Sequence, residues 1–292
     1  MRGATMKKNK KKSQLAAVWG RLKKNKMAVL GLAILCLIVL AAIFADVFFD
    51  YETMAVQQSA ALRLKPPSAQ HLLGTDEVGR DILARIVYGA RISLPVAAAT
   101  ILFAAIIGGM LGAIAGYGSK RVDDVIMRIM DIFLAIPSTL LAIAIVAALG
   151  PSVVNMMIAI TMSNIPPFAR IVRSSVITIR NEEYIEAARA IGSSDSRIVF
   201  RHIIPNAMAP LIVQATMCVA GSILSIASLS FLGLGIQPPT PEWGSMLSNG
   251  RQFIRSAWWV CTFPGVAIML SILSLNLLGD GLRDALDPKL KN

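Results

Sequence analysis

The sequence has little of what covalent chemistry requires. Charged residues make up 16% of its 292 positions, and it contains two histidines and three cysteines. No G-x-x-x-x-G-K-[ST] run is present, so the chain lacks the loop that cradles nucleotide phosphates. Neither H-E-x-x-H nor G-x-S-x-G occurs, and His71 and His202 are too isolated to build a zinc site or a triad. Cys36, Cys218 and Cys261 show no metal-ligand spacing and sit within or beside apolar runs, where they are expected as small buried hydrophobes without disulfides. These absences exclude a self-contained enzyme. Sparse charge beside 55% hydrophobic residues also excludes an ordinary soluble domain.

Long apolar runs fill the space. Six are read, over residues 27–44, 92–116, 125–149, 152–179, 206–232 and 258–278, each near or above the ~17 residues needed to cross a bilayer as a helix. The expected fold is an all-α integral membrane protein with six transmembrane helices. Cleavage after Ala45 would place Ile43 at the −3 position, so the first run is expected to remain as a span. Pro166-Pro167 predict a kink or break in the fourth. Ala104, Gly108, Gly112 and Gly116 form a small-residue face, suited to packing within the chain or against a second subunit. Asp131 is expected to pair with Arg128 near the inner end of the third span. Ser222, Ser225 and Ser228 follow at threes, either on a polar route or in helix-to-helix hydrogen bonds.

Between the runs lie two polar stretches. In residues 46–91, Val78, Ile82, Leu83, Ile86 and Val87 repeat at helical spacing with Asp81 four before Arg85, which predicts a helix lying on the outer membrane surface before a span begins at Ile92. Residues 233–257 hold Pro238-Pro239-Thr240-Pro241, and Trp243, Trp258 and Trp259 suit the aromatic belt. Ten of the net +12 charges fall in residues 1–26, leaving two for the rest. A basic tail beside lipid explains this better than a nucleic-acid surface. With the amino terminus inside, 22 of the 29 Lys and Arg are inside, so both termini are expected in the cytoplasm of a plasma-membrane protein.

The organising stretch is residues 181–205. Asn181 is placed as an N-cap with Glu182 and Glu183 in the first turn, and Glu186 is three before Arg189, a spacing that allows an ion pair. Tyr184, Ala187, Ala188 and Ile191 form one narrow apolar stripe, Gly192 suits a left-handed stop, and Ser194 can cap a second helix running toward Pro205. The pattern Glu186-Ala187-Ala188, then Gly192, then Pro205 resembles the EAA loop of membrane subunits of binding-protein-dependent ABC importers. His202-Ile203-Ile204-Pro205 stands in place of Ile-x-Leu-Pro. Residues 71–94, the Leu-Gly-Leu-Gly at 232–235 and the tail from Arg283 to Pro288 resemble the dipeptide, oligopeptide and nickel branch of that family.

That resemblance implies a type I ABC importer permease fold. Its parts would be a basic cytoplasmic tail (1–26), a first span with an extracytoplasmic segment (27–91), a transmembrane domain (92–283) and an inner tail (284–292). It implies docking of an ATPase on Tyr184, Glu186, Ala187, Ala188, Ile191, Gly192 and Pro205. It further implies a homologous permease subunit, two ABC ATPases that bind ATP and Mg in place of this chain, and an extracytoplasmic solute-binding protein. Di- and oligopeptides, nickel, metal chelates and glutathione are the cargoes of that branch. A secondary transporter or channel, with several ionisable groups at mid-membrane, and a membrane enzyme with a clustered constellation are the competing classes.

Overall fold

The computed structural model describes residues 14–286; Arg2 to Lys12 and Asp287-Pro288 lie outside them. Helices build the chain, and among the described residues the single extended pairing is a bridge between Thr75 and Asp81. α1 (Gln14–Leu22) leads to α2 (Lys26–Ile43), which starts where the Asn25 side chain accepts from the N–H groups of Met27 and Ala28. α2 is apolar on all sides, as a helix largely bathed in lipid should be. The short α3 (Ala45–Phe48) and a π-helical turn at Tyr51–Val56 follow.

α4 (Ile82–Tyr117) is one helix of 36 residues, about 54 Å long at ~1.5 Å per residue. A surface helix followed by a separate span was expected here. Instead Asp81 caps the helix by accepting from the Ala84 N–H at 2.9 Å, and the helix then continues past Ile92 without a stop. Its first turns do not lie on lipid: Ile82, Arg85, Tyr88 and Gly89 are buried under protein. Arg85 turns from Asp81 to Asp76, 3.5 Å away, and donates to the Pro239 carbonyl at 3.2 Å.

α5 (Lys120–Ala135) and α6 (Ser138–Leu149) meet at 88°, where one straight span was expected. Pro137 has no N–H to continue the ladder and holds Ile136 extended, at φ −97° and ψ 127°. α7 (Val153–Arg180) does the opposite and passes Pro166-Pro167 as one helix. It is held along α4 by the small-residue face: a Cβ on Gly108 would lie 2.6 Å from the Ile165 carbonyl oxygen, and one on Gly116 2.9 Å from that of Arg173. The face is therefore used inside this chain. Such close approach gains dispersion contacts that lipid would otherwise supply.

α8 (Glu183–Ala190) follows, then α9 (Asp195–Ile198), a π-helical turn (Val199–Ile203), α10 (Ile204–Phe231), α11 (Trp243–Gly250) and α12 (Trp259–Leu286). By length and apolarity, four helices qualify as membrane spans, or five with the bent α5–α6 pair. α7 has the length, at 28 residues. Its asparagines, prolines and arginines keep it off that count, so composition alone marks five crossings where six were expected.

At the end of the bundle where α4 begins, Trp243 and Trp259 are buried, with indole N–H groups donating to the carbonyls of Ile86 (2.9 Å) and Thr75 (3.2 Å). Trp258 alone of the three stays exposed, so the expected aromatic belt reduces to that residue. The cysteines are free; Cys36 is exposed and Cys218 and Cys261 half-buried, more open than expected.

Candidate functional site

The 181–205 loop is anchored from α7. Arg180 donates to the Gly116 carbonyl at 2.8 Å, which draws the last turn of α7 up to Asn181. Asn181 thus closes α7, and Glu182 precedes α8. An eight-residue helix is not stable by itself in water. Tertiary packing holds it: Ile185 is fully buried with Ala188 against Val172, Val176, Ile198 and Ile203. Arg189 does not turn to Glu186; its guanidinium lies over the Tyr117 ring, 5.7 Å from the centroid, and the Tyr117 hydroxyl donates to Asp195. Gly192 has φ +82° with open space around it, so its backbone conformation, not crowding, requires glycine. The Ser193 N–H returns to the Ala188 carbonyl at 3.1 Å and finishes the stop.

The expected stripe therefore divides. Ala188, 8% exposed, faces this chain's own core. Tyr184, Ala187 and Ile191 face outward, Ile191 at 84% exposure, together with Glu186 and Gly192. Pro205 sits in the first turn of α10 and is exposed. Phe200, 72% exposed, extends the uncovered apolar surface. Ile185 is the residue that the sequence reading missed. Its i, i+3 spacing with Ala188 is as regular as the stripe chosen, and periodicity alone does not say which of two adjacent stripes turns inward.

A second feature is a cavity of about 640 Å³ between α6, α7 and α10. Ser138, Thr139, Ser163, Asn164, Gln214, Ser225 and Ser228 supply its polar lining, and no charged side chain borders it. Ser222 turns away: it is buried and donates toward the Ala97 carbonyl of α4 at 3.3 Å, a packing role. Ser225 and Ser228 line the cavity, so the two alternatives for the serines are divided among them. Asp131 is bound by Arg170 at 2.6 Å, not by Arg128, because Arg170 on α7 faces it across the interface while Arg128 lies on its own helix. Asp123 is gripped similarly by Arg173, with Nη2 at 2.6 Å.

The N-terminal cap of α4 holds a buried charge cluster. Arg80 lies 2.6 Å from Asp76 and 3.3 Å from Glu77, and His71 Nδ1 lies 2.9 Å from Asp81. Burial, then the adjacent Asp76, pushes the Glu77 carboxyl above its usual range. Burial also pushes up Glu242, which is fully enclosed, although it accepts from the N–H groups of Gly244 (2.9 Å) and Ser245 (2.8 Å).

A bundle of long apolar helices, a polar loop between α7 and α10 and an uncharged internal cavity are the architecture of a membrane permease subunit. Comparison with known proteins identifies the kind. The chain belongs to the family described as binding-protein-dependent transport system inner membrane component, which it matches over residues 108–292, and it also matches the N-terminal TM domain of oligopeptide transport permease C over residues 13–67. The latter match falls ahead of the 71–94 segment singled out in the sequence. A dipeptide transport system permease protein of Alkalihalophilus pseudofirmus is 54% identical over 272 residues, covering 93% of this chain and 89% of that one. A di/tripeptide transport system permease protein of Pseudomonas aeruginosa is 48% identical, covering 96% and 94%. The dipeptide transport system permease protein of Escherichia coli K12 is 49% identical, covering 95% and 94%. Among solved structures, an inward-facing MetNI methionine ABC transporter chain superposes with a TM-score of 0.57 at 20% identity, covering 70% of this chain and 98% of that chain. At that identity the likeness speaks for the fold, that of an ABC importer permease.

Proposed function

We propose that this subunit forms half of the passage through which an ATP-driven importer moves di- and oligopeptides across the plasma membrane. The observation that carries the coupling half of this reading is the loop: a short helix pinned by Ile185 with Tyr184, Glu186, Ala187 and Ile191 turned outward. A lever of this kind passes force only if it moves with α7, and the buried anchor supplies that. Two ATPase subunits bind ATP and Mg and grip this helix from the cytoplasm, where both termini also lie. The peptide cargo follows from the named activities of the relatives at about half identity. An extracytoplasmic solute-binding protein delivers it.

A homologous permease completes the passage, and α5 points to where it sits. Val122, Val125, Ile129 and Ile132 are exposed at alternating spacings of three and four, beside the exposed Asp131–Arg170 ion pair. A protein neighbour covers such a mixed face better than hydrocarbon does, since charge in lipid costs several kcal/mol, ~2.5–3.5 on insertion scales.

In the purified complex, a cysteine replacing Ala187 is expected to cross-link to the ATPase, whereas one replacing Ala188 is shielded and reacts poorly. Glu186→Lys is expected to abolish uptake while the subunit remains inserted. Full uptake by Glu186→Lys, together with labelling of the Ala187 position from the outer face, would overturn the docking and the orientation.

A further inference from the structure

The short helix ahead of the first span is built against the bundle. Val18 and Leu22 of α1 pack with Ala28 of α2 and with Leu278, Leu282 and Ala285 of α12, and Gly281 lies against Ala28 with no room for a Cβ. The turn into α2 is fully bonded: the N–H groups of Lys23, Lys24 and Asn25 return to the carbonyls of Trp19, Arg21 and Leu22 at 3.1, 3.0 and 3.1 Å. Only those three residues separate the helices. The end of α1 is therefore within about 15 Å of the start of the apolar run, which places it in the head-group layer of the leaflet that α2 enters. The outward side of this elbow is cationic. Arg21, Lys23, Lys24 and Lys26 are four cations in six positions, and among the described residues none of them forms an ion pair. Asp284, the carboxylate at the same corner, accepts instead from Asn25 Nδ2 at 3.3 Å.

Two further observations point to what this corner holds. Arg21 is half-buried, and its Nη1 is shut off from solvent without a hydrogen-bond partner in the chain. A buried charged donor left unpaired is costly, so the guanidinium calls for an anionic acceptor from outside the chain. Trp19 is exposed, with the Lys23 ammonium 5.1 Å above its ring centroid, and Met27 and Leu30 carry exposed apolar surface on from the elbow into α2. We infer that the α1–α2 elbow is a binding site for one anionic phospholipid. Arg21, Lys23 and Lys24 take the phosphodiester oxygens, Trp19 borders the glycerol region, and the acyl chains run along α2 beside Met27 and Leu30. A guanidinium gives phosphate a planar fork of donors, and the lysines add two compact charges. An acidic protein surface would match the charge but not the adjoining apolar side chains, whereas a lipid matches both, with the indole at the interface it favours.

The test uses the full-length subunit in its assembled complex, in nanodiscs of phosphatidylcholine with phosphatidylglycerol in both leaflets. The outcome then depends neither on which face is cytoplasmic nor on what is transported. A phosphatidylglycerol with a diazirine in its head group is photolysed and the labelled peptides are mapped. Label is expected within residues 18–26, several-fold above that on the exposed Lys120 and Arg121 at the start of α5, and excess phosphatidylglycerol but not phosphatidylcholine should suppress it. Label spread evenly over both segments, or suppressed equally by the two lipids, overturns the proposal. Labelling that emerges only after the ATPases are stripped away also overturns it, and would assign the elbow to an acidic protein surface.

Substitution gives a second reading. With Arg21→Gln, Lys23→Gln and Lys24→Gln combined, affinity for phosphatidylglycerol is expected to fall on the order of a hundredfold, three steps of about fivefold for each cation beside an anionic head group. The Lys120→Gln, Arg121→Gln protein should bind the lipid as the unaltered one does. Native mass spectrometry counts the lipid that stays bound, and undiminished affinity in the triple variant refutes the site. Because the photolabelling needs no substitution, the proposal remains open to refutation even where the triple variant fails to assemble.

Discussion

Replacing Ile185 with alanine tests whether the loop is a lever or merely a surface helix. The side chain is fully buried between α7, α9 and the π-helical turn, among Val172, Val176, Ile198 and Ile203. The substitution removes three buried carbons, about 2.4 kcal/mol at ~0.8 kcal/mol per CH₂, and the unfilled cavity raises the loss to about 2–5 kcal/mol. Beyond the smaller Ala188 in the same cluster, little else retains α8: a long Asn206–Tyr184 contact of 3.4 Å and the exposed Arg189–Tyr117 stack. Because eight helical residues have no stability of their own, a loss of about 3 kcal/mol shifts the docked population on the order of a hundredfold. The assay is thiol labelling of an Ala188→Cys reporter in a background otherwise free of cysteine. That site is shielded with Ile185 present and is expected to react on the order of a hundredfold faster in the Ile185→Ala protein, with uptake lost and basal ATP hydrolysis kept. Ile191→Ala is the control: exposed on the side turned away from α7, it should leave the reporter shielded and weaken only the proposed grip of the ATPase. If Ile185→Ala leaves the Ala188→Cys reporter as slow as before, the anchoring argument fails.

Three more outcomes follow from other parts of the molecule. Gly112 of α4 lies against the Ala169 backbone with no room for a Cβ, so Gly112→Leu is expected to separate α4 from α7 at a cost of about 1–3 kcal/mol or more, read as a lower melting temperature of the solubilised protein. Gly192→Ala keeps the space but not the backbone, and about 1–2 kcal/mol of left-handed strain should loosen α8, detectable as faster amide exchange over residues 183–193. Glu242 and Glu77 have raised carboxyl affinities for protons, so the native state holds more protons than the unfolded chain above their ordinary value of 4.5. Stability should therefore fall as pH rises from about 4.5 through the raised range and then level off, and a Glu77→Gln, Glu242→Gln protein should lose that slope in denaturation measured against pH.

The sequence by itself determined the class of molecule. Long apolar runs have no stable place outside a bilayer, and the Glu186-Ala187-Ala188…Gly192 spacing carries its signature within one local segment, so both were legible without coordinates. Gly192 was placed correctly at a left-handed stop because the requirement is intrinsic to one residue's backbone. What the tertiary structure alone decided is which side of each element meets protein. Ala188 and Ile185 face inward while Ile191 does not, because α7 happens to approach one of two equally periodic stripes. Asp131 finds Arg170 rather than Arg128, and Arg85 finds Asp76 rather than Asp81, because partners from distant segments outcompete local spacing. Pro137 turns its span by 88° while Pro166-Pro167 leave theirs whole, since a missing hydrogen bond matters less where a glycine face locks the helix to its neighbour. Periodicity describes one helix; orientation and pairing belong to the contact between helices, and only the packed chain contains them.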